Sequence, residues 1–442
     1  MAIAATIEWE VRTTGTASNA NGGGYKPGSS GTDFSQQDAA QYNLTLVTTA
    51  AADAILLSAS AAADMVGNLA HIVSGTNFTA GWYEIISVSV GVSITLDRTC
   101  TTAAGAAGVV NIGGALSLGS ADDAVFESME PGNIMYIKSG TYTIGGAVSV
   151  AKTGTSGLPI RLVGYDTSRS VVPAEGSRPT LAFAALTARF ADYNLFESII
   201  FTTTETDGIA MASGCLLSNR KITNSSGTAS RVACNGVSNA SDGLKIINSE
   251  LISTNGTAIA NSTTNDRWHI DGCYIHDSVT GISATAIGTV VTGCIIDTCT
   301  TGISVGATAL VIVGCTLYSG TTGISIGTQV QVSVLHNIIS GFTTGISATS
   351  NIAGNLYDYN NFHNNTTNRS NVTAGDNDIA LDPQFTDAPN GNFTPGTNMK
   401  ITVPFPGGLT TTYAYLGAVQ PNATGGSSGG ARVMGAGIVS GG

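Results

Sequence analysis

The tetrapeptide TGIS returns at Thr280–Ser283, Thr301–Ser304, Thr322–Ser325 and Thr344–Ser347, at steps of 21, 21 and 22 residues. Cys273, Cys294, Cys315 and Asn337 keep the same step. A fixed period in this range marks a repeat architecture, in which one unit buries its apolar face only against its neighbours. Within each line, short β-branched runs such as CYIH, CIID and CTLY alternate apolar and polar positions, and Gly, Ser, Thr or Asn clusters separate them. That pattern reads as strand, turn, strand, turn, with no helical period. At about 3.3 Å per strand residue one line closes a coil of several short strands, and the next coil hydrogen-bonds onto it at about 4.8 Å. The spacing therefore predicts an all-β solenoid, a parallel β-helix with coils of about 21–22 residues.

Equivalent residues of successive coils then lie above one another. Cys273, Cys294 and Cys315 are expected to stack inside, as are Ile282, Ile303, Ile324 and Ile346. Free cysteine serves there as a small buried hydrophobe. A disulfide within the column is the sharper alternative, but side chains pointing in parallel are poorly aimed for the S–S torsion. Asn337 in the fourth coil can donate and accept along the column. Upstream, ELISTNGTAIANSTTNDRWHI reads as a degenerate coil, with TNGTAI in the place of VTGISA.

The rest of the composition narrows the function. The chain has 442 residues, 56 of them glycine, only 10% charged, with a formal charge of −12. It is too apolar for disorder, and no basic run offers a face for phosphates, so nucleic acid is not an expected partner. MAIAATIEWEVR carries Glu8 and Glu10 where a secretory leader would need a basic start and an apolar core, and no 18-residue apolar run follows. No membrane insertion is expected. Seven cysteines with no CxxC and no Cys/His spacing suggest neither a disulfide framework nor zinc, and folding in a reducing cytosol is the simpler expectation. No metal or cofactor is expected.

GSADDAVFESMEPGNIMYIKSGTYTIGGAVSVAKTGTSGLPIRLVGYD resembles the opening coils of right-handed parallel β-helix proteins of the pectate-lyase-like superfamily, where a short helix precedes a PG turn, a strand and a G-T-Y signature. The matching positions are Pro131, Gly132, Gly140, Thr141, Tyr142, Gly157, Pro159, Ile160 and Gly164. LDPQFTDAPNGNFTPG, near Asp382, resembles the last coil of the same proteins. The resemblance spans roughly residues 111 to 418 and implies a right-handed, single-stranded β-helix; it speaks to fold far more than to function. Such lyases and hydrolases carry their chemistry on one outward face, as an Asp cluster for Ca²⁺ with a basic residue, or as two to three Asp acting on a glycosidic bond. Neither set can be carried onto positions of this chain.

Residues 1–43 read as an N-terminal attachment segment with an NGGG turn and a short helix around Gln36 to Tyr42. Residues 44–112 read as an inserted small β subdomain whose runs LAHIV, WYEIISVSV and VSITLDR, including Trp82 and Tyr83, are antiparallel strands capping the solenoid's blunt end. Residues 113–418 are assigned to the β-helix and 419–442 to a Gly-rich tail. That tail still carries Val433, Met434, Ile438 and Val439, which a pure linker would not need, so a neighbouring subunit is expected to fix it.

A search for carboxylates at coil spacing finds His276 and Asp297 in one column, Tyr318 above them and Asp277 beside His276. As a functional stripe these residues could bind a sugar or assist proton transfer; as a solvated face with one neutralising His/Asp contact they need no function, and that is the plainer reading. A second cluster, Asp266, Arg267, Trp268, His269 and Asp271, offers Trp268 and Arg267 to a sugar or a subunit interface, against a turn with a Trp covering a coil edge. Glu205, Asp207, Asp376, Asp378, Asp382 and Asp387 read as turn residues.

Three functions follow as expectations. The first is a structural or adhesive virion protein, a capsid decoration, head fibre or tailspike-like part. WEVRTTG followed by NGGGY is similar to the opening of tailed-phage virion proteins, which implies assembly in the host cytoplasm, a place on the virion surface, a homotrimer and contacts with other virion proteins. The alternative is a polysaccharide depolymerase, lyase or glycoside hydrolase, acting on host surface polysaccharide. The third is a bacterial adhesin or filament subunit. Enzymatic activity ranks below the structural role because only one carboxylate stands in the column.

Overall fold

The computed structural model describes residues 6–16, 20–119, 126, 128–145, 149–150, 152–183, 188–204, 207–226, 232–236, 243–261, 267–399, 415–420 and 432–433. The fold is a right-handed parallel β-helix with a small N-terminal β insertion. Two compact units divide the chain, residues 1–201 and 202–442.

In the first unit, strand Glu8–Thr16 pairs in parallel with Ile134–Lys138, with Trp9 opposite Met135 and Val11 opposite Ile137. Ile134–Lys138 pairs with Ile160–Tyr165, and that strand with Asn194–Glu197. The free side of Glu8–Thr16 is closed by Gly24–Tyr25, so the edge is not left open to another chain. Glu10 is fully buried, accepting from Arg12 at 2.7 Å and from Arg169 at 2.6 Å, with the Tyr165 hydroxyl also on it. A buried carboxylate is tolerable only when paired this completely.

The insertion closes on itself. Tyr42–Thr49, Ile55–Leu57, Ser93–Leu96, Gly81–Ser89, Leu69–Phe78 and Thr101–Ile112 form an antiparallel barrel, a closure that removes the sheet edges an open set of antiparallel strands would leave. Val47, Leu56, Ile72, Tyr83, Ile85, Ile94 and Val110 fill it. The helix expected around Gln36 to Tyr42 is absent. The chain there makes turns, and the Gln41 N–H bonds the Ile112 carbonyl at 2.9 Å, drawing the segment into the barrel wall instead. The helix expected before Pro131 falls largely outside the described residues, as do Met434, Ile438 and Val439; Arg432–Val433 pairs antiparallel with Val419–Gln420.

In the second unit a coil has three strands, the second and third merging into one in Thr316–Ile326 and Ile338–Ala348. One face stacks Lys245–Ile247, His269–Asp271, Val290–Thr292, Val311–Val313, Ser333–Leu335 and Leu356–Asp358. The next stacks Glu250–Ser253, Tyr274–His276 and Ile295–Asp297, continuing into Thr316–Ile326 and Ile338–Ala348. The third stacks Thr257–Ala260, Thr280–Ala284 and Thr301–Val305, and Thr257 opposite Thr280 fixes TNGTAI as the equivalent of VTGISA. Left-handed residues turn the corners, for example Arg267, Gly272 and Asp277 in one coil and Gly288, Gly293 and Thr298 in the next. Such single residues bend the strand by roughly a right angle without a long loop, and that keeps the coil near 21 residues.

The repeated TGIS has a physical cause at each position. Ile282, Ile303, Ile324 and Ile346 are fully buried in one column, each worth roughly 2 kcal/mol of burial. A Cβ on Gly302 would stand 2.5 Å from the carbonyl of Gly323 in the next coil, and Gly281 and Gly323 face the same contact at 2.6 Å. Only glycine lets the coils approach so closely there.

The cysteine column is dry. Cys273, Cys294 and Cys315 are fully buried, as are the other four cysteines, and none of the seven is in a disulfide. Each thiol points to a carbonyl one coil back: Cys294 to Ile270 at 3.7 Å, Cys315 to Val291 at 3.7 Å. Asn337 takes the same place, its Nδ2 donating to Ile312 O at 3.2 Å while its Oδ1 accepts the Cys315 N–H at 2.8 Å. Asn360 repeats the bond to Val334 O at 2.9 Å. An amide satisfies both neighbours, so Cys and Asn are interchangeable in this column.

LDPQFTDAPNGNFTPG is not a further coil. It carries the short 3₁₀ turn Ala388–Asn390, is followed by another at Thr397–Met399, and lies against the outside of the second face. Phe393, Ala388 and Val419 pack there on Ile295 with Tyr274 and Tyr318. The sequence places an apolar Ile295 where an outward residue is expected, and this covering segment is the reason.

Candidate functional site

The outward positions of the second face form two columns. Parallel register sets His276 opposite Asp297, Asp297 opposite Tyr318, Tyr318 opposite Ser340 and Ser340 opposite His363. Four coil steps make a stripe about 19 Å long. The adjoining column brings in Lys221, Glu250 and Tyr274.

One end of the stripe is a polar network. His276 Nδ1 lies 2.8 Å from Asp277 Oδ2, and Nε2 lies 3.1 Å from Glu250 Oε1. Lys221 Nζ donates to the same Glu250 oxygen at 2.7 Å, and Thr298 Oγ1 donates to Asp277 at 3.0 Å. The Tyr274 ring stacks on His276 at 4.2 Å. Burial alone raises the Glu250 carboxyl, but the bonds from His276 and Lys221 outweigh it and bring it down to about 2. Burial disfavours the His276 imidazolium, yet Glu250 and Asp277 reverse that and raise its pKa. Asp277 is lowered, its bonds from His276 and Thr298 exceeding the small burial effect.

Asp297 behaves oppositely. It is 8% exposed, its Oδ2 accepts from Tyr274 OH at 3.3 Å, and its Oδ1 has no hydrogen-bond partner among the described residues. Burial raises its carboxyl to about 6, against weaker lowering by Tyr274 and His276. Two carboxyl groups in adjacent coils, one ionised and one protonated near pH 6, are the arrangement in which acid and base roles separate.

The other end of the stripe opens into a cleft of about 370 Å³, lined by Tyr318, Ser340 and His363 on the sheet side and by Asp382, Gln384 and Asp387 on the covering segment. Tyr318 meets Phe385 and Phe393 edge-on at 5.9 and 5.4 Å, so its ring is held rigidly at the cleft wall. His363 Nδ1 lies 3.4 Å from Ser340 Oγ and 3.9 Å from Asp382 Oδ1. Polar groups converging on a pocket of this size around a fixed aromatic ring suit a small polar ligand.

Several sequence-level assignments change. Trp268 is fully buried and offers nothing to a sugar or a partner, because its position belongs to an inward column with Leu244, Thr289, Leu310 and Val332. Arg267 is exposed at a left-handed corner, away from the stripe's register. Asp266 and Glu205 lie outside the described residues. Asp207 begins a strand, Asp378 is committed to Arg369, and Asp382 and Asp387 are cleft residues as well as turn residues. Glu250 and Lys221 do not stand at the 21–22 spacing because the coils here are longer: Glu250 lies opposite Tyr274, 24 residues on, and Lys221 precedes Glu250 by 29. Their signal was the alternation in KITN and ELIS, which puts Lys221 and Glu250 outward.

No family model and no curated protein matches the chain. Among solved structures it is similar to the GH136 lacto-N-biosidase of Eubacterium ramulus, at 11% identity and TM-score 0.42, over 57% of this chain and 63% of that one. A PL6 polysaccharide lyase of Pseudopedobacter saltans shows 13% identity and TM-score 0.40, over 57% of this chain and 76% of that one. The ORF18 protein of Geobacillus virus E2 shows 16% identity and TM-score 0.30, over 58% and 56%. The chain thus spans less than two thirds of the length of the lacto-N-biosidase and of the viral protein. No helix among the described residues is long and apolar enough to cross a membrane.

Proposed function

We propose that the protein binds a surface polysaccharide along the stripe from His276 to His363 and cleaves it. The observation that carries this reading is Asp297, a buried carboxyl whose Oδ1 has no hydrogen-bond partner among the described residues, beside ionised Asp277 and one coil step from Tyr318, which lines the polar cleft. A merely solvated face has no use for a carboxyl held at about 6. In hydrolysis, Asp297 gives its proton to the leaving glycosidic oxygen, and water supplies the hydroxyl to the anomeric carbon and returns the proton to solvent through ionised Asp277. Tyr318 and His363 seat the chain of sugars. The test is incubation with surface polysaccharides of bacterial hosts, followed by size-exclusion chromatography and reducing-end assay. Shortening by the native protein, with binding retained but cleavage reduced at least 100-fold in Asp297→Asn, is expected. Equal cleavage by the variant refutes the assigned role.

A second reading keeps the glycan contact but makes attachment the purpose: a virion structural protein, trimeric, displayed on the particle surface with other virion proteins. It is favoured by the N-terminal resemblance to tailed-phage virion proteins and by the self-contained barrel of residues 42–112, a module separate from the stripe. Co-purification with DNA-filled particles and a trimeric mass by sedimentation support it; a monomer absent from particles refutes it.

A further inference from the structure

The two chemistries open to a polysaccharide-cleaving β-helix make opposite electrostatic demands. β-Elimination removes the proton next to a uronic acid carboxylate, expels the glycosidic oxygen and leaves a C=C bond; it requires cations over that carboxylate. Hydrolysis adds water across the glycosidic bond and needs a proton donor and a carboxylate. The cleft supplies Asp382 and Asp387 on one wall, and no Lys or Arg lines it among the described residues. The Asp382 side chain is 65% exposed and faces the cleft from 3.9 Å beyond His363, with one oxygen taken by the Gln384 N–H. Among the described residues Asp387, in the same wall, has no ionic partner; its Oδ2 accepts from the Asn390 amide, and the residue precedes a 3₁₀ turn. Among the described residues, Lys221 on this face is engaged with Glu250, and Arg369, on the neighbouring TGIS face, with Asp378 and the Phe362 ring at 4.1 Å. The whole chain carries −12.

From this we infer that the cleft takes an uncharged glycan, neutral or N-acetylated sugars, and excludes polyuronates, so that the cleavage is hydrolysis and not β-elimination. The inference rests on the glycan reading above. With no divalent cation between them, two carboxylates at one wall repel a uronate seated in the cleft, whereas sugar hydroxyls donate hydrogen bonds to them and sugar faces stack on Tyr318.

The test is an array of immobilised oligosaccharides, carrying neutral, N-acetylated and uronate chains, probed with the labelled full-length protein at low salt, with and without calcium. Binding confined to uncharged chains is expected, and Asp382→Asn with Asp387→Asn should raise binding to oligogalacturonate at least tenfold relative to the native protein. Native binding to uronates as strong as to neutral chains, with calcium or without, overturns the inference and leaves the glycan reading intact. Binding to no glycan on the array sinks both. Where a bound chain is cleaved, new reducing ends without unsaturated sugars agree with hydrolysis, and unsaturated ends contradict it.

Discussion

Replacing Asp297 with Asn should make the protein more stable as pH rises, while removing the group assigned to proton donation. In the unfolded chain the Asp297 carboxyl ionises near 3.8; in the fold, burial at 8% exposure holds it protonated to about 6. Below about 4 both states are protonated and the group contributes nothing. Between 4 and 6 the folded state binds the extra proton, so stability falls as pH rises, and above about 6 the full penalty is present. A shift of about two units at about 1.4 kcal/mol per unit amounts to about 3 kcal/mol. The assay is urea unfolding of native and Asp297→Asn protein at intervals from pH 3.5 to 7.5, followed by tryptophan fluorescence. The stability of the variant relative to native should climb by about 3 kcal/mol between pH 4 and 6, since every group not coupled to Asp297 cancels in the difference. Parallel curves would refute the burial argument and with it the case for a proton donor at this position.

Other consequences are open to simpler measurements. Glu250→Gln should act with the opposite sign: the native carboxylate, lowered from 4.5 to about 2, contributes up to about 3 kcal/mol above pH 4.5 that is lost as pH falls toward 2, so the variant is weaker at neutral pH and equal in strong acid. Ile303→Ala leaves a hole in a closed column and should lower stability by about 2–5 kcal/mol in the same urea assay. Gly302→Ala drives a methyl group into the Gly323 carbonyl and should cost about 1–3 kcal/mol, although alanine normally favours an ordered backbone. Because every cysteine is buried and none is in a disulfide, a thiol reagent should titrate none rapidly in native protein and all seven in denaturant.

The repeat was readable because inward columns are chemically monotonous: Ile282, Ile303, Ile324 and Ile346 face the same dry surroundings, and so do Cys273, Cys294 and Cys315. Regularity in sequence there is regularity in packing. The outward stripe was readable only where the coil length is constant. His276, Asp297 and Tyr318 are spaced by 21 and emerge from counting, whereas Glu250 and Lys221 sit on longer coils and His363 on a step of 23 from Ser340. Trp268 misled because an aromatic beside Arg267 suggests a surface, but the inward register of its strand decides its place. The covering segment around Phe385 and Phe393 could not be foreseen at all. It contacts Tyr318 across some seventy residues of sequence, and its turn-forming Asp382 and Asp387 acquire a role only once it folds over the sheet. The closed barrel was legible as alternating strands but not as a closure, since closure depends on the pairing of Tyr42–Thr49 with Thr101–Ile112 at the two ends of the insertion.

The most direct test is diffraction from crystals of Asp297→Asn protein soaked with an oligosaccharide that the native protein shortens. Density for sugar rings lying along the coil-stacking direction from Asn at position 297 past Tyr318 to His363, with hydroxyls on Asp382, is the expected result. Sugar density on the opposite face, over Lys245–Ile247 through Leu356–Asp358, with the stripe left bare, would contradict it.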